Sequence, residues 1–267
     1  VLPRQFRQHT PILFCKKKKN DQLSFMAKSI KLSKINPGAP KGFEKEATIK
    51  KTKELVTKIG EFSEKLYAEK KHNLLIVFQG MDASGKDGVT KKVMLKIPAV
   101  VIDAHSFKKP SEEEFAHDFL WRVNRYSPAK GQIKIFIRSH YEDILIQRVH
   151  NWIDDKKAKQ RMKSINAYET QLSQDNNTTI LKFYLHLSHE RQLEKLDERL
   201  TDPTKQWKHN PADYEESKLW DQYMKCYEYA INESEIPWHI VPSDQRWYRN
   251  YFVAQIVHDT LKKLKPE

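Results

Sequence analysis

Nine residues, Gly80-Met-Asp-Ala-Ser-Gly-Lys-Asp-Gly88, constrain the fold of this chain more than any other stretch. They follow a purely apolar run, Leu74 to Phe78, and precede Val89 to Lys96, a segment with helical character. Strand, glycine loop and helix in that order make a phosphate-binding P-loop. Of the 7 glycines in the chain, Gly80, Gly85 and Gly88 stand here, where the backbone must turn tightly and aim successive N–H groups at an anion. The helix N-terminus adds partial positive charge, and Lys86 a full one. Ala83 and Ser84 complete the phosphate cradle. Asp87 stands where such loops usually carry Ser or Thr to help hold magnesium. With Asp82 inside the loop, this places carboxylates beside phosphate, which is unfavourable unless a cation lies between them. A metal is therefore implied, with Asp82 and Asp87 the carboxylates that could hold it or orient an attacking phosphate oxygen.

The rest of the chain supplies strands to flank this one. Apolar runs at 98–103, 132–137, 178–187 and 238–241 alternate with amphipathic stretches, giving five short strands in a mainly parallel sheet with helices on both faces. The periodicity of Leu55, Ile59, Phe62, Leu66 and Tyr67 predicts a helix over 44–71, packed at the sheet edge. Ser111 and Glu114 form a capping box for a helix running to Pro128. Residues 156–174, 190–200, 213–233 and 247–263 read as further helices. Residues 1–43 form a basic arm, with Lys16 to Lys19 a charge run, and 44–267 one domain. Met26 is a candidate internal start, so residues 1–25 read as an extension.

Charge narrows the partners. Lys and Arg number 48 against 35 Asp and Glu, a net +13, which suits a polyanion: nucleic acid, an acidic membrane or another phosphate-rich molecule. Only Cys15 and Cys226 are present, so a disulfide framework is not expected and a reducing cytoplasm fits. No apolar run approaches the roughly 18 residues of a membrane span. Two clusters point to chemistry. Arg138-Ser-His-Tyr-Glu-Asp143 follows the third strand at once, and its arginine can grip phosphate with two parallel hydrogen bonds. Arg199 to Pro211 carries Lys205, Trp207 and Lys208 between prolines and reads as a cationic lid over about 199–215.

Together these stretches resemble the polyphosphate kinase 2 family of P-loop phosphotransferases. The likeness rests on the P-loop, Ser106-Phe-Lys108, Pro110 to Glu114, His117 to Arg122, Arg138 to Asp143, Asp202 to Lys208 and Trp247 to Asn250, across roughly residues 44 to 263. It implies a thymidylate-kinase-like three-layer fold with a helical lid. It implies magnesium-dependent phosphoryl transfer between inorganic polyphosphate and adenine, or guanine, nucleotides, in a homo-oligomeric dimer or tetramer. The Arg138–Asp143 segment looks most like that of members accepting AMP, or both AMP and ADP. On this resemblance Asp82, Lys86, Arg138 and Arg199 are catalytic, Lys108, Lys205 and Lys208 bind phosphate, and Phe107, His117 and Arg122 bind the nucleotide. Ile137 departs from the pattern, standing where members usually carry Asp, Asn or Glu before the arginine. Three other readings stay open: an ATP-dependent nucleotide kinase, a non-catalytic polyphosphate binder, and a P-loop protein that binds nucleic acid.

Overall fold

The computed structural model describes residues 29–266. The lysine run Lys16–Lys19, Cys15 and Met26 lie outside them. In chain order the elements are α1 (Lys45–Glu69), β1 (Asn73–Gln79), α2 (Lys86–Val93), β2 (Ile102–Ser106), α3 (Glu112–Ala116), α4 (Trp121–Asn124), β3 (Ile133–Ile137), α5 (Ile146–Val149), α6 (Asp155–Asp175), β4 (Thr178–His186), α7 (His189–Thr201), α8 (Ala212–Lys218), α9 (Trp220–Glu233), β5 (Trp238–Pro242) and α10 (Arg246–Leu264). The five strands are all parallel, in the order β2-β3-β1-β4-β5.

The sheet is central because β1 is apolar on both faces and wholly buried. Its Leu74, Ile76 and Phe78 join Leu55 and Ile59 of α1, Val89 of α2 and Val253 of α10 in one core. Its Leu75 and Val77 join Ile165 of α6 and Tyr227 of α9 in the other. This is a three-layer sandwich. The first helix does not pack at the sheet edge as its sequence suggests. It lies against α10, and its apolar stripe enters the core under the central strand.

Three further expectations shift. The second strand is Ile102–Ser106, not 98–103, because Val101 closes a turn onto the Pro98 carbonyl and pairing with β3 begins at Ile102. As a half-exposed edge strand it carries little apolar signal. The helix begun at Ser111 keeps its capping box but stops at Ala116. His117 is extended, and the Asp118 side chain accepts from the Leu120 N–H at 3.0 Å, a local turn that competes with helix. Likewise 213–233 divides at Leu219 into α8 and α9. The described part of the arm is pinned to the domain. Ile30 and Leu32 donate to Asn232 and Glu228 of α9 at 2.8 Å each, and the Ile35 carbonyl meets His186 Nε2 at 3.0 Å.

Strand order places the site. From β1 the chain runs first to the edge strand β2 and back to β3, then crosses to β4 on the other side of β1, so a crevice opens beyond the C-terminal end of β1. The P-loop fills it, flanked by Arg138 after β3 and α7 after β4.

Candidate active site

Phe78 pairs with Ile137, and the Arg138 N–H still donates to the Phe78 carbonyl at 3.0 Å, which sets Arg138 beside the P-loop. Ala83 (φ 62°) and Arg138 (φ 61°) both hold left-handed backbone without being glycine. Such strain costs about 1–3 kcal/mol per residue and persists where surrounding structure over-determines it. At Arg138 it turns the side chain back toward Asp82, whose Oδ1 accepts from Nη2 at 2.6 Å. Burial alone would raise the Asp82 carboxyl, but Lys86 and Arg138 outweigh it and hold the group below its ordinary range. The same pairing raises the Arg138 guanidinium. Both stay charged.

Lys86 curls under its own loop. Its Nζ donates to the carbonyls of Gly80 (2.6 Å) and Met81 (3.2 Å), and burial lowers its pKa against the pull of Asp82. Above it lies a cavity of about 600 Å³, walled by nine Lys and Arg and only three Asp and Glu. The expected residues Asp82, Ala83, Gly85, Lys86, Asp87, Gly88, Lys108, Arg138, Arg199, Lys205 and Lys208 all line it.

A second cavity, about 190 Å³, shares Lys108 and Arg138 with the first and continues between Phe107, Arg122, Glu142, Asp143 and Trp152. Arg122 is buried there, donating to the Lys108 carbonyl (2.9 Å) and to Asp143 Oδ2 (3.3 Å). Burial raises the carboxyls of Glu142 and Asp143. The loop carrying them is anchored from below by a fully buried set. Glu169 Oε1 meets His140 Nε2 at 3.2 Å and the Tyr141 hydroxyl at 3.0 Å, while its Oε2 accepts from Lys182 at 2.6 Å.

Three expected residues sit elsewhere. His117 stacks on Trp121 with ring centroids 4.2 Å apart and lines neither cavity. The break after Ala116 turns it aside. Ser84 is fully buried, its hydroxyl beneath the loop, and Gly80 contributes its carbonyl to Lys86 rather than a wall. The lid segment forms one side of the cavity. Trp207 is 78% exposed on a short 3-10 turn, Gln206–Lys208. The lid cations are paired with acids: Arg199 with Asp213, Lys205 with Asp202 and Glu198, Lys208 with Asp87 at 3.7 Å.

The sequence reading did not single out Lys195, Arg246 and Arg249, which also line the cavity. Arg249 Nη1 donates to the Ser84 carbonyl at 3.0 Å and so braces the P-loop from α10. Burial, then Arg246, bring its pKa down to about 10. Its signal was present in the segment Trp247–Asn250 but not assigned to a role. Lys195 is one lysine in a charged helix and had no local signal.

Among the described residues there is no group of three or more His, Cys, Asp or Glu able to hold a metal by themselves. Asp82 keeps one carboxylate oxygen beyond its bond to Arg138 and is partly exposed. That donor set fits a hard cation bound by one carboxylate, substrate oxygens and water, not one caged by protein.

The family model for polyphosphate kinase 2 matches residues 42–267. An AMP/ADP-polyphosphate phosphotransferase of Meiothermus ruber is 40% identical over 238 residues, covering 87% of this chain and 89% of that protein. An ADP-polyphosphate phosphotransferase of Rhodopseudomonas palustris is 39% identical, covering 79% and 78%. The crystal structure of polyphosphate kinase 2 from Arthrobacter aurescens TC1 superposes with a TM-score of 0.86 at 35% identity, over 90% of this chain and 88% of that one. With matches of this extent, and a P-loop, lid and third-strand arginine converging on one cationic cavity, the chain belongs to the polyphosphate kinase 2 family.

Proposed function

We propose that this protein transfers a phosphoryl group reversibly between inorganic polyphosphate and a nucleoside mono- or diphosphate. The carrying observation is the junction of two cavities at Arg138 and Lys108. The larger, rich in cations, suits a chain bearing about one charge per phosphate. The smaller, with Phe107 and Trp152 beside charged groups, suits a nucleotide whose terminal phosphate reaches the junction.

Phosphoryl transfer needs positioning and charge neutralisation more than covalent chemistry. Lys86 and the loop N–H groups hold the phosphoryl group in flight. Arg138, fixed by Asp82, bridges donor and acceptor oxygens. Arg199 leaves Asp213 to meet charge developing on the donor side. Magnesium bound at the second oxygen of Asp82 would neutralise phosphate charge there. Ile137 lines the cavity as an apolar wall, which leaves the cation to Asp82.

Nucleotide chromatography tests the reading. Protein and magnesium are mixed with AMP or ADP separately, with polyphosphate, ATP or neither as the donor. ADP or ATP forming only when polyphosphate is present is the expected result. Product formed only from ATP as donor would overturn it in favour of a nucleotide kinase, and polyphosphate bound without turnover would mark a binder.

A third cavity of about 510 Å³, which sets Lys53 and Lys92 beside an apolar wall of Ile49, Val56, Leu95 and Trp247, shares Gly88, Arg246 and Arg249 with the P-loop cavity. A long polyphosphate would run on into it, past Lys92. Replacing Lys53 and Lys92 together by Glu should raise KM for long chains by about tenfold, through two charge reversals on an exposed path. KM for tripolyphosphate should change less than twofold. Equal changes for both lengths would remove this path.

A further inference from the structure

Lys195, on α7, differs from every lid cation around the cavity. It is only 6% exposed, and its Nζ has no hydrogen-bond partner among the described residues. Its charged neighbours are all engaged elsewhere. On its own helix, Arg191 pairs with Glu194 and Glu198. From α10, Arg246 pairs with Glu198 at 3.3 Å, and Arg249 holds the Ser84 carbonyl. Asp244, before α10, accepts from the Ser188 N–H at 2.9 Å. A buried amine among three guanidiniums and one distracted carboxylate is costly as an ammonium ion. No described side chain bonds it, yet it lies in the wall of a cavity suited to polyanions.

We propose that Lys195 is a proton-regulated anion ligand, whose amine takes up one proton from solvent when a polyphosphate chain enters the cavity and returns it when the chain leaves. The inference rests on polyphosphate as the occupant. The balance is simple: neutral amine, proton and polyanion combine to an ammonium–phosphate pair, with no covalent change. The electrostatics agree. Burial first, then Arg249, Arg191 and Arg246, bring the free amine down to about 7, with Asp244 opposing. A phosphate beside it raises that value, so binding and protonation assist each other.

The sign follows from linkage. The ammonium contribution to binding is fully present below the pKa of the free protein. It weakens as pH rises from about 7 toward the pKa of the complex. Affinity should therefore fall about tenfold between pH 6 and pH 8, beyond any change from the ligand's own titration. Proton uptake at Lys195 should be about a tenth of a proton at pH 6 and close to one at pH 8.

The test is titration calorimetry with long linear polyphosphate, in MES and Bis-Tris at pH 6 and in HEPES and Tris at pH 8, for wild type and Lys195→Met. Methionine suits the buried site and removes the amine, so the variant should fold at least as well. At pH 8 wild type should take up about one proton more than the variant, and at pH 6 nearly the same number. Lys195→Arg, always charged, should bind at pH 8 at least as tightly as wild type without the extra uptake. Equal uptake by wild type and Lys195→Met at pH 8 overturns the proposal while leaving polyphosphate as substrate. Wild type that binds no polyphosphate at either pH overturns both.

Discussion

Lys86→Ala should lower the rate of phosphoryl transfer by about a thousandfold while leaving the protein folded. Lys86 is the one full positive charge inside the curve of the P-loop, and its Nζ rests on the carbonyls of Gly80 and Met81. On the proposed mechanism those two bonds hold the amine where phosphate oxygens would converge. Removing one donor placed for a developing anion typically costs about 3–4 kcal/mol in the transition state, a factor of 10² to 10³. A buried full charge belongs at the upper end. The fold should survive because the loop has other supports. Ser84 N–H closes onto Met81, Arg249 holds the Ser84 carbonyl, and Gln192 Nε2 donates to the Asp82 carbonyl at 3.1 Å. Initial rates by nucleotide chromatography, with circular dichroism on the same samples, decide it. A folded variant keeping a tenth of wild-type activity would move the phosphoryl group away from this loop.

The parts of this architecture legible in the sequence are those encoded locally. β1 reads as a buried strand because both of its faces are apolar, and the glycines that follow mark the loop. The capping box at Ser111 is realised, since it needs only residues three apart. Elements whose structure depends on distant neighbours were less legible. The true β2 contains Asp103, Ala104 and Ser106 on an exposed edge, so its position is set by β3 and not by its own pattern. The sequence puts His117 and Arg122 in one helix, but the Asp118 turn breaks it between them. The cavity itself is the clearest case. Lys195 and Arg249 lie 110 and 164 positions from Gly85 in sequence, and only the placement of β4 and β5 beside β1 brings α7 and α10, which leave their C-terminal ends, to the loop. A cation's charge is visible in a sequence, but its lack of a partner is not. That property, which distinguishes Lys195 from Lys205 or Lys208, exists only in the packed structure.

Gly85→Ala should abolish transfer almost as completely as loss of Lys86, for a reason that involves no charge. Gly85 is the N-cap of α2 and holds φ 94°. An L side chain there costs about 1–2 kcal/mol in backbone strain. The greater cost is steric. A Cβ would fall on Arg249 Nη1 and lie 2.9 Å from its Cζ. Arg249 cannot move aside freely, since it is buried and its bond to the Ser84 carbonyl is one of the braces of the loop. Alanine therefore either expels a guanidinium from its pocket or shifts the N–H groups of the loop by a large fraction of an ångström. Both misplace the phosphoryl group, and a displacement of about 1 Å can cost a hundredfold. With the brace lost as well, a fall of about 10² to 10³ is expected. Gly88→Ala provides the contrast in stability. Its Cβ would meet only Arg249 Nη2, at 3.5 Å, an ordinary contact, and it lies inside α2, where alanine favours helix by about 1 kcal/mol. Thermal melting should therefore rise or hold for Gly88→Ala and fall by several degrees for Gly85→Ala. If Gly85→Ala melted like wild type and retained its activity, Arg249 would not be the brace that keeps this loop in shape.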